Sequence, residues 1–261
     1  MLRVDLNADV GESFGAYRLG EDEEVIRQVT SVNVACGMHA GDPLVMQRTV
    51  VMARDAGAAV GAHPGYPDLQ GFGRRYLALT PAEVEAFVMY QVGALWAFCR
   101  AAGVALRHVK AHGALYNLAA RDASLADAIA RAVARVDDGL VLVGLAGSEI
   151  LRAGERAGLR VAAEVFADRG YLPDGTLVPR GQPDSVIHDP QVVANRVLMM
   201  VREGRASASD GSAIAVRADT VCFHGDTPGA ANLVRQVRAR LEGAGVRVAP
   251  MSDRLGEAGA G

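Results

Sequence analysis

The sequence predicts an α/β fold arranged as one (β/α) barrel, and three observations lead to this prediction. Short runs rich in β-branched residues alternate with longer segments of helical periodicity, as in parallel α/β folds. Clusters of histidine, aspartate, asparagine and lysine follow the short runs, where the carboxyl ends of barrel strands would meet. The length of 261 residues and the 50% hydrophobic content suit a single barrel with a large core.

Seven segments are predicted as strands, one fewer than the usual barrel count. They cover residues 3–6, 31–35, 58–62, 107–110, 140–144, 160–166 and 220–223. Four helices are predicted to begin where an oxygen-bearing cap residue directly precedes a proline, at Asp42, Thr80, Asp189 and Thr227. Glu83 follows Thr80 at the spacing of a capping box, and this helix is expected to continue to residue 103.

The last third of the sequence is less regular. Residues 168–189 contain several glycines and prolines without a clear period, which predicts a long loop of the kind that often has a function. No linker or repeat divides the chain, so residues 1–250 are interpreted as one domain. Residues 251–261 are rich in glycine and alanine and are expected to form a flexible tail.

Composition narrows the expected partners and compartment. The net charge of −3 comes from interspersed acids and bases, so no nucleic-acid partner is expected. Arg3, Asp5 and Asp9 interrupt the amino terminus where a signal peptide needs an apolar stretch, and no apolar run reaches membrane-spanning length. Three widely spaced cysteines indicate reduced thiols. The prediction is therefore a cytoplasmic protein without a membrane partner.

The first polar cluster lies in DLNADVGE, on the first strand and at its exit. Asn7 and Asp9 share one face of the strand, and Glu12 lies beyond it. A solvated strand end would also explain these residues, but inward-facing acids are costly to bury unless they are used. The burial cost favours a functional interpretation.

The next two clusters, NVACGMHAGD and GAHPGYPD, contain histidines at strand ends. Asn33 and His39 belong to the first of them and His63 to the second. His39 has no evident structural role and is a candidate base or metal ligand. His63 is a stronger candidate than a lone histidine would be, because it is the second histidine at a strand end. Cys36 is interpreted as a buried thiol rather than a nucleophile, because lone small thiols are usually buried.

The cluster VKAHGALYN contains the only lysine among 27 basic residues, Lys110. Lysine is not interchangeable with arginine where a compact ammonium must approach one oxygen, so this exception indicates a chemical requirement. His112 lies two residues further, on the same face. Replacing Lys110 with Met is expected to abolish turnover and leave thermal stability nearly unchanged. Tyr116 and Asn117 are interpreted as packing and surface residues.

The last polar positions are Glu164 and Arg169 around the sixth strand, and His224 and Asp226 after the seventh. A simple ion pair with Asp168 is an equally good explanation for Arg169. The sequence has no GxxxxGK[ST], strand-linked GxGxxG, HExxH or GxSxG pattern. It therefore lacks a recognisable nucleotide cradle.

Five motifs, DLNADVGE, NVACGMHAGD, GAHPGYPD, VKAHGALYN and FHGD, occur in this order along nearly the whole chain. Together they closely resemble the LamB/YcsF family, whose members are also called the A subunits of 5-oxoprolinase. One departure is Ala111, where the family usually has proline; alanine keeps the spacing but relaxes the backbone restriction that proline imposes. The resemblance implies a distorted (β/α) barrel related to polysaccharide deacetylases.

The resemblance also implies a reaction. Family members act with two further subunits, B and C, in the ATP-dependent hydrolysis of 5-oxoproline to glutamate. A five-membered lactam is a resonance-stabilised amide, and phosphorylation of its oxygen would make it a reactive electrophile. Because this chain has no phosphate-binding motif, ATP is expected to be bound by the partner subunits. Homo-oligomerisation of the chain stays open.

In that scheme, Asp9 or His39 would orient or deprotonate water, while Lys110 and His112 would stabilise negative charge. The catalytic residues would be Asp9, His39, His63, Lys110 and His112. The substrate-binding residues would be Asn7, Glu12, Asn33, Glu164, Arg169, His224 and Asp226.

Two alternatives stay open. An acid of the first strand could form a facial metal site with His39 and His63, which would make the protein a metal-dependent deacetylase or another hydrolase. The spacing of these residues matches no single metal signature, so the presence of a metal is undetermined from the sequence. The other alternative is a barrel that binds a lactam and presents it to other subunits without catalysing a reaction.

Overall fold

The computed structural model describes residues 2–224 and 229–254, with the backbone alone for His224 and Arg254. This part of the chain contains ten strands: β1 (Arg3–Val10), β2 (Ser31–Ala35), β3 (Ala59–His63), β4 (Leu106–Lys110), β5 (Val141–Leu145), β6 (Arg160–Phe166), β7 (Arg205–Ser207), β8 (Ala213–Ala215), β9 (Thr220–His224) and β10 (Arg247–Val248). Its nine helices are α1 (Asp22–Ile26), α2 (Pro43–Ala56), α3 (Pro81–Ala101), α4 (Gly113–Ala119), α5 (Ala123–Val136), α6 (Glu149–Arg156), α7 (Pro190–Glu203), α8 (Ala230–Gly243) and α9 (Met251–Arg254).

Seven strands form a closed parallel barrel in the order β1-β2-β3-β4-β5-β6-β9, and β9 pairs back onto β1. This confirms the predicted (β/α) barrel and its seven strands. The other three strands were not expected: β10 pairs with the amino end of β1, and β7 and β8 form a small antiparallel sheet. They span only two or three residues each, too few to produce a periodic signal in the sequence.

Strand β1 is longer than the predicted segment 3–6 and continues to Val10. Its apolar residues join the main hydrophobic core. Its alternate residues, Asp5, Asn7 and Asp9, bond to side chains of other barrel strands and so face the interior. Polar residues interrupt the apolar pattern of the strand, which is why the sequence indicates too early an end.

The predicted helix starts at Asp42, Thr80 and Asp189 are confirmed, and each of these side chains accepts hydrogen bonds from the first turn of its helix. Thr80 and Glu83 form the predicted capping box. Helix α3 ends at Ala101, two residues earlier than expected. The helix start predicted at Thr227 lies outside the described residues. Among the described helices, none is long and apolar enough to cross a membrane.

The predicted loop at residues 168–189 contains no helix or named strand, and it is anchored to the barrel. Tyr171 is 1% exposed and accepts a hydrogen bond from the backbone N–H of Phe166 at 2.9 Å. The guanidinium of Arg196 lies over the Tyr171 ring and donates to the carbonyl oxygen of Arg169. These contacts fix the loop against the barrel end that carries the polar clusters.

The amino end of the barrel is closed by the last described helix. Met251 is 2% exposed and packs with Val141, Val143 and Ala162 in a cluster separate from the main core. The first four residues of the segment expected to form a tail are thus the helix α9, and its methionine fills the barrel bottom. Residues 255–261 lie outside the described part of the chain.

Candidate active site

A cavity of about 380 Å³ opens at the carboxyl ends of the barrel strands. Its inner wall includes two carboxylates, two histidines and the lysine, namely Asp9, Glu12, His63, Lys110 and His112. The fifth predicted catalytic residue, His39, stacks on His112 with ring centroids 3.7 Å apart and planes 4° apart. The sequence predicts this convergence, because the carboxyl ends of parallel barrel strands share one face.

The ammonium of Lys110 lies between two buried carboxylates. Its Nζ is 2.9 Å from Asp9 Oδ1 and 2.9 Å from Glu164 Oε1, and it donates to Cys222 Sγ at 3.0 Å. Burial alone would lower the pKa of Lys110, but the neighbouring carboxylates of Asp9 and Glu164 raise that pKa well above its ordinary value. The lysine is therefore held protonated, and its charge balances the two acids.

Asn7 and Asn33 lie below the cavity and are fully buried. Asn33 Nδ2 donates to Asn7 Oδ1 at 2.7 Å and to Asp9 Oδ1 at 2.9 Å, and Asn7 Nδ2 donates to Glu164 Oε1 at 3.0 Å. Neither asparagine lines the cavity, and Glu164 does not line it either. These three predicted substrate-binding residues instead support Asp9 and Lys110 from beneath.

Tyr116 is a site residue that the sequence interpretation missed. It lines the cavity, and its hydroxyl donates to Glu164 Oε2 at 2.7 Å. Burial and the neighbouring Glu164 raise the pKa of Tyr116 well above its usual value, so the hydroxyl stays a donor. Its position four residues after His112, at the start of α4, is the signal that could have revealed it.

Cys222 is the second residue that the sequence interpretation missed. It faces the interior because it lies two residues after Thr220 on β9, whose hydroxyl bonds to Asn7 and Asp5 inside the barrel. Burial raises the pKa of its thiol well above the ordinary value. Cys222 therefore contacts Lys110 as a neutral thiol.

Hydrogen bonds assign the tautomers of two histidines. His63 Nδ1 donates to the carbonyl oxygen of Lys110 at 2.8 Å, and His112 Nε2 donates to the carbonyl oxygen of Phe72 at 2.8 Å. In the neutral rings, the remaining nitrogens, His63 Nε2 and His112 Nδ1, are both acceptors, yet they lie 3.0 Å apart. Two acceptors do not bond to each other, so this pair needs a shared proton or a bound cation between them.

His39 and Glu12 complete this group. His39 Nε2 is 3.7 Å from Glu12 Oε1, and neither ring nitrogen of His39 has a hydrogen-bond partner among the described residues. Burial, together with His112 and His63, lowers the pKa of His39 well below its ordinary value. Burial and His63 likewise lower the pKa of His112. Both rings are therefore neutral at physiological pH.

We call Glu12, His39, His63 and His112 the histidine cluster. Their ligand atoms all lie within 4.8 Å of one another. Neutral imidazoles and a carboxylate are the ligands that Zn²⁺ and related divalent ions prefer. The backbone carbonyls that accept from His63 and His112 resemble the outer partners that orient metal-ligating histidines. The residues present therefore fit a divalent metal ion, and the cluster is a candidate metal centre.

Glycines allow the loop after β3 to pack against this cluster. A Cβ at Gly65 would lie 2.6 Å from His39 Nδ1, and a Cβ at Gly73 would lie 2.7 Å from His39 Cβ. Gln91 holds the first turn by bonding both the N–H and the carbonyl oxygen of Gly65. The Pro-Gly turn of the motif GAHPGYPD is thus required for close approach to His39.

The outer wall of the cavity carries four arginines, Arg74, Arg121, Arg169 and Arg180. Arg169 is 5% exposed and donates through Nε to Ser185 O and through Nη2 to Val178 O. Burial and the nearby Arg180 lower the pKa of Arg169 to about 10, so it stays charged at neutral pH. The structure thus places Arg169, a predicted substrate-binding residue, in the cavity wall.

The remaining predicted residues have other positions. Cys36 is buried and donates to the carbonyl oxygen of Val34, and burial raises the pKa of its thiol to about 12, which is unfavourable for a nucleophile. The backbone of His224 pairs with that of Asp9 at the end of β9. Asp226 lies outside the described residues.

The chain is a closed parallel barrel with its polar site at the carboxyl ends of the strands. Barrel enzymes have their active sites at this end, so the chain has the architecture of a barrel enzyme. The LamB/YcsF family model matches residues 4–256, and the chain belongs to the LamB/YcsF family.

Curated relatives, each named as the A subunit of 5-oxoprolinase, match this chain over nearly its whole length. The protein from Syntrophobacter fumaroxidans (strain DSM 10017 / MPOB) is 57% identical over 96% of this chain and 99% of its own. The protein from Bacillus subtilis (strain 168) is 52% identical over 97% of this chain and 99% of its own.

Solved structures share the fold. A lactam utilization protein from Thermus thermophilus matches with a TM-score of 0.90 and 52% identity, covering 95% of this chain and 99% of that one. A structure described as T48 deacetylase with substrate matches with a TM-score of 0.51 and 16% identity, covering 98% and 92%. The second likeness concerns the fold alone, and it agrees with the predicted deacetylase-like barrel architecture.

Proposed function

We propose that this chain is the ring-opening subunit of an ATP-dependent 5-oxoprolinase, which converts 5-oxo-L-proline to L-glutamate as ATP becomes ADP and phosphate. The observation that carries the proposal is one cavity with a histidine-carboxylate group at its inner end and arginines at its outer end. The first group suits activation of water at a carbonyl, and the second suits an anionic substrate. The names of the curated relatives and of the Thermus structure support the same substrate class.

The proposal includes two partner subunits, B and C, that bind ATP and activate the lactam. The sequence of this chain has no phosphate-cradle motif. An unstrained amide resists attack by water, and transfer of a phosphoryl group to its oxygen supplies the missing driving force. The same scheme places the enzyme in the cytoplasm, where ATP is available.

Four side chains of the inner wall have proposed roles. Lys110 Nζ lies 2.9 Å from Asp9 Oδ1, and Asp9 Oδ2 lies 3.3 Å from His63 Nε2. His63 can therefore take a proton from water while Asp9 stabilises the resulting imidazolium. His112, stacked on His39, lies beside His63, and its acceptor nitrogen Nδ1 can accept a hydrogen bond from the attacking water.

Reconstitution tests this function directly. Glutamate release from 5-oxoproline is measured with and without ATP, for this chain alone and for the chain mixed with its two candidate partner subunits. We expect release only in the complete mixture with ATP. Release by the isolated chain without ATP would identify a self-sufficient hydrolase, and no release from any mixture would contradict the proposal.

A second candidate function is favoured by the 3.0 Å approach of two acceptor nitrogens in the histidine cluster. In a metal-dependent hydrolase, Glu12, His39, His63 and His112 would hold a divalent ion, which polarises a carbonyl or lowers the pKa of a bound water. Metal content of the purified chain, measured by mass spectrometry, tests this function. About one ion per chain, lost in E12Q, would support it, and a metal-free chain with full activity in the complete mixture would exclude it.

A further inference from the structure

His108 is a buried histidine that has no part in the proposed chemistry. It lies on β4 two residues before Lys110, and both side chains bond to groups inside the barrel, but His108 does not line the cavity. Burial lowers the pKa of His108 to about 3, so the ring is neutral at physiological pH. A neutral imidazole has one donor nitrogen and one acceptor nitrogen. The contacts of the two nitrogens therefore decide which one carries the proton.

These contacts place the proton on Nε2. His108 Nε2 lies 2.9 Å from Asn33 Oδ1, whereas Nδ1 is buried and has no hydrogen-bond partner in the part of the chain that the structure describes. A proton on Nδ1 would be buried without an acceptor, and it would leave two acceptors, Nε2 and Oδ1, facing each other. His108 therefore donates to Asn33.

The orientation of the Asn33 amide agrees with this assignment. Asn33 Nδ2 donates to Asp9 Oδ1 at 2.9 Å and to Asn7 Oδ1 at 2.7 Å. If the amide were turned over, its oxygen would face these two oxygens, which are both acceptors. Asp9 and His108 thus specify the same orientation of the amide from opposite sides.

Gly61 makes room for the His108 ring. It pairs with His108 across β3 and β4, and a Cβ at Gly61 would lie 2.1 Å from His108 Nε2 and 2.2 Å from His108 Cδ2. Glycine weakens the interior of a strand, and it often marks a place where another group approaches closely. Any larger residue at this position would push the ring away from Asn33.

The contacts that begin at His108 lead to the proposed base. Asp9 Oδ1 accepts hydrogen bonds from Asn33 Nδ2 and Lys110 Nζ, each at 2.9 Å. These two donors hold one oxygen of the carboxylate, and the other oxygen, Oδ2, lies 3.3 Å from His63 Nε2. An imidazolium formed at His63 is stabilised only by a carboxylate that already faces it.

We propose that His108 is a positioning residue for the proposed reaction. Its Nε2–H fixes the Asn33 amide, and that amide fixes the Asp9 carboxylate beside the proposed base. The effect on turnover rests on the proposed function, whereas the tautomer and the hydrogen bonds are properties of the isolated chain. Because His108 does not line the cavity, its loss is expected to slow the chemical step and to leave substrate binding nearly unchanged.

Nuclear magnetic resonance of the isolated chain tests the hydrogen bonds without requiring turnover. Nitrogen-15 shifts distinguish the two neutral tautomers of a histidine ring. At about pH 7 we expect His108 to carry its proton on Nε2 alone, and the Nδ2 protons of Asn33 to exchange slowly with water. A His108 ring protonated on Nδ1 would overturn the inference, and this measurement needs no substitution.

Two substitutions of similar length test the donor itself. Glutamine can place an amide nitrogen near the position of His108 Nε2, whereas methionine has no donor. In the complete enzyme we expect H108M to lower kcat roughly tenfold or more, and H108Q to recover most of the rate. H188M is the control, because His188 is exposed. Equal rates of H108M and H108Q would mean that His108 only fills space, and a folded but inactive H108Q would also overturn the inference.

The failure of this inference can be distinguished from the failure of the proposed function. If the original chain with its partners releases no glutamate, the proposed function fails. Proton exchange of the Asn33 amide in the isolated chain then decides the inference: it is expected to be faster in H108M and to stay slow in H108Q. If the original chain is active, a rise in KM for 5-oxoproline with unchanged kcat in H108M would contradict the positioning role. Circular dichroism checks the fold, and if H108M does not fold, the tautomer and the rate of H108Q decide.

Discussion

Replacing Lys110 with Met removes the cation that balances two buried acids. Nζ is 2.9 Å from a carboxylate oxygen of Asp9 and 2.9 Å from one of Glu164, and the Lys110 side chain is only 3% exposed. Removing one partner of such a group costs about 3–5 kcal/mol, because the remaining charges stay buried without compensation. K110M is therefore expected to lose both turnover and stability, which replaces the sequence-based expectation of nearly unchanged stability.

Denaturant unfolding and calorimetry at pH 7 measure this loss. For a chain of this size, about 3–5 kcal/mol corresponds to a fall in Tm of roughly 6–20 °C. The double variant K110M/E164Q is the matched control, because the neutral amide no longer needs a cation; it is expected to recover part of the lost stability. If K110M unfolds with a free energy within about 1 kcal/mol of the original chain, Lys110 does not balance the two acids.

Three further predictions concern the barrel interior. In G61A the new Cβ would lie 2.1 Å from His108 Nε2, so the unfolding free energy is expected to fall by about 1–3 kcal/mol; an unchanged denaturation midpoint would contradict this packing. M251A is expected to lose about 2–5 kcal/mol, measured in the same way, because Met251 fills the barrel bottom; a loss below about 1 kcal/mol would mean that α9 does not close it. Burial raises the pKa of Asp5 from 3.8 to about 6, so the folded chain binds this proton more tightly than the unfolded chain, and ionised Asp5 reduces stability by about 3 kcal/mol at pH 7. Relative to D5N, the original chain should gain that amount as pH falls through about 6 to about 4; parallel stability curves of the two chains would contradict it.

The barrel could be predicted because its signals are local and repeated. Cap residues before prolines, such as Asp42 and Thr80, specify helix starts through a few neighbouring atoms. Barrel enzymes have their active sites at the carboxyl ends of the strands. This regularity predicted that Asp9, His63, Lys110 and His112 lie together, without any knowledge of distances. The predicted end of β1 was too early, because polar residues of the site take the place of apolar residues along that strand.

The role of each residue within the site could not be predicted, because it depends on how deep the side chain lies in the barrel and on which way it points. Asn7 and His63 both face the barrel interior, yet one lies beneath the cavity and the other lines it. The tautomers of His63 and His112 depend on carbonyl groups contributed by Lys110 and Phe72, and no sequence pattern encodes such contacts. The four arginines of the outer wall, Arg74, Arg121, Arg169 and Arg180, come from three separate loops, and only the folded chain brings them to one cavity.

The most direct test is glutamate release by the complete enzyme with a substitution in the histidine cluster. H112N is compared with the original chain and with H188N, a control that changes an exposed histidine. We expect the original chain and H188N to release glutamate as ATP is hydrolysed, and H112N to release none while circular dichroism shows an intact fold. Normal glutamate release by H112N would contradict the assignment of this cavity as the active site.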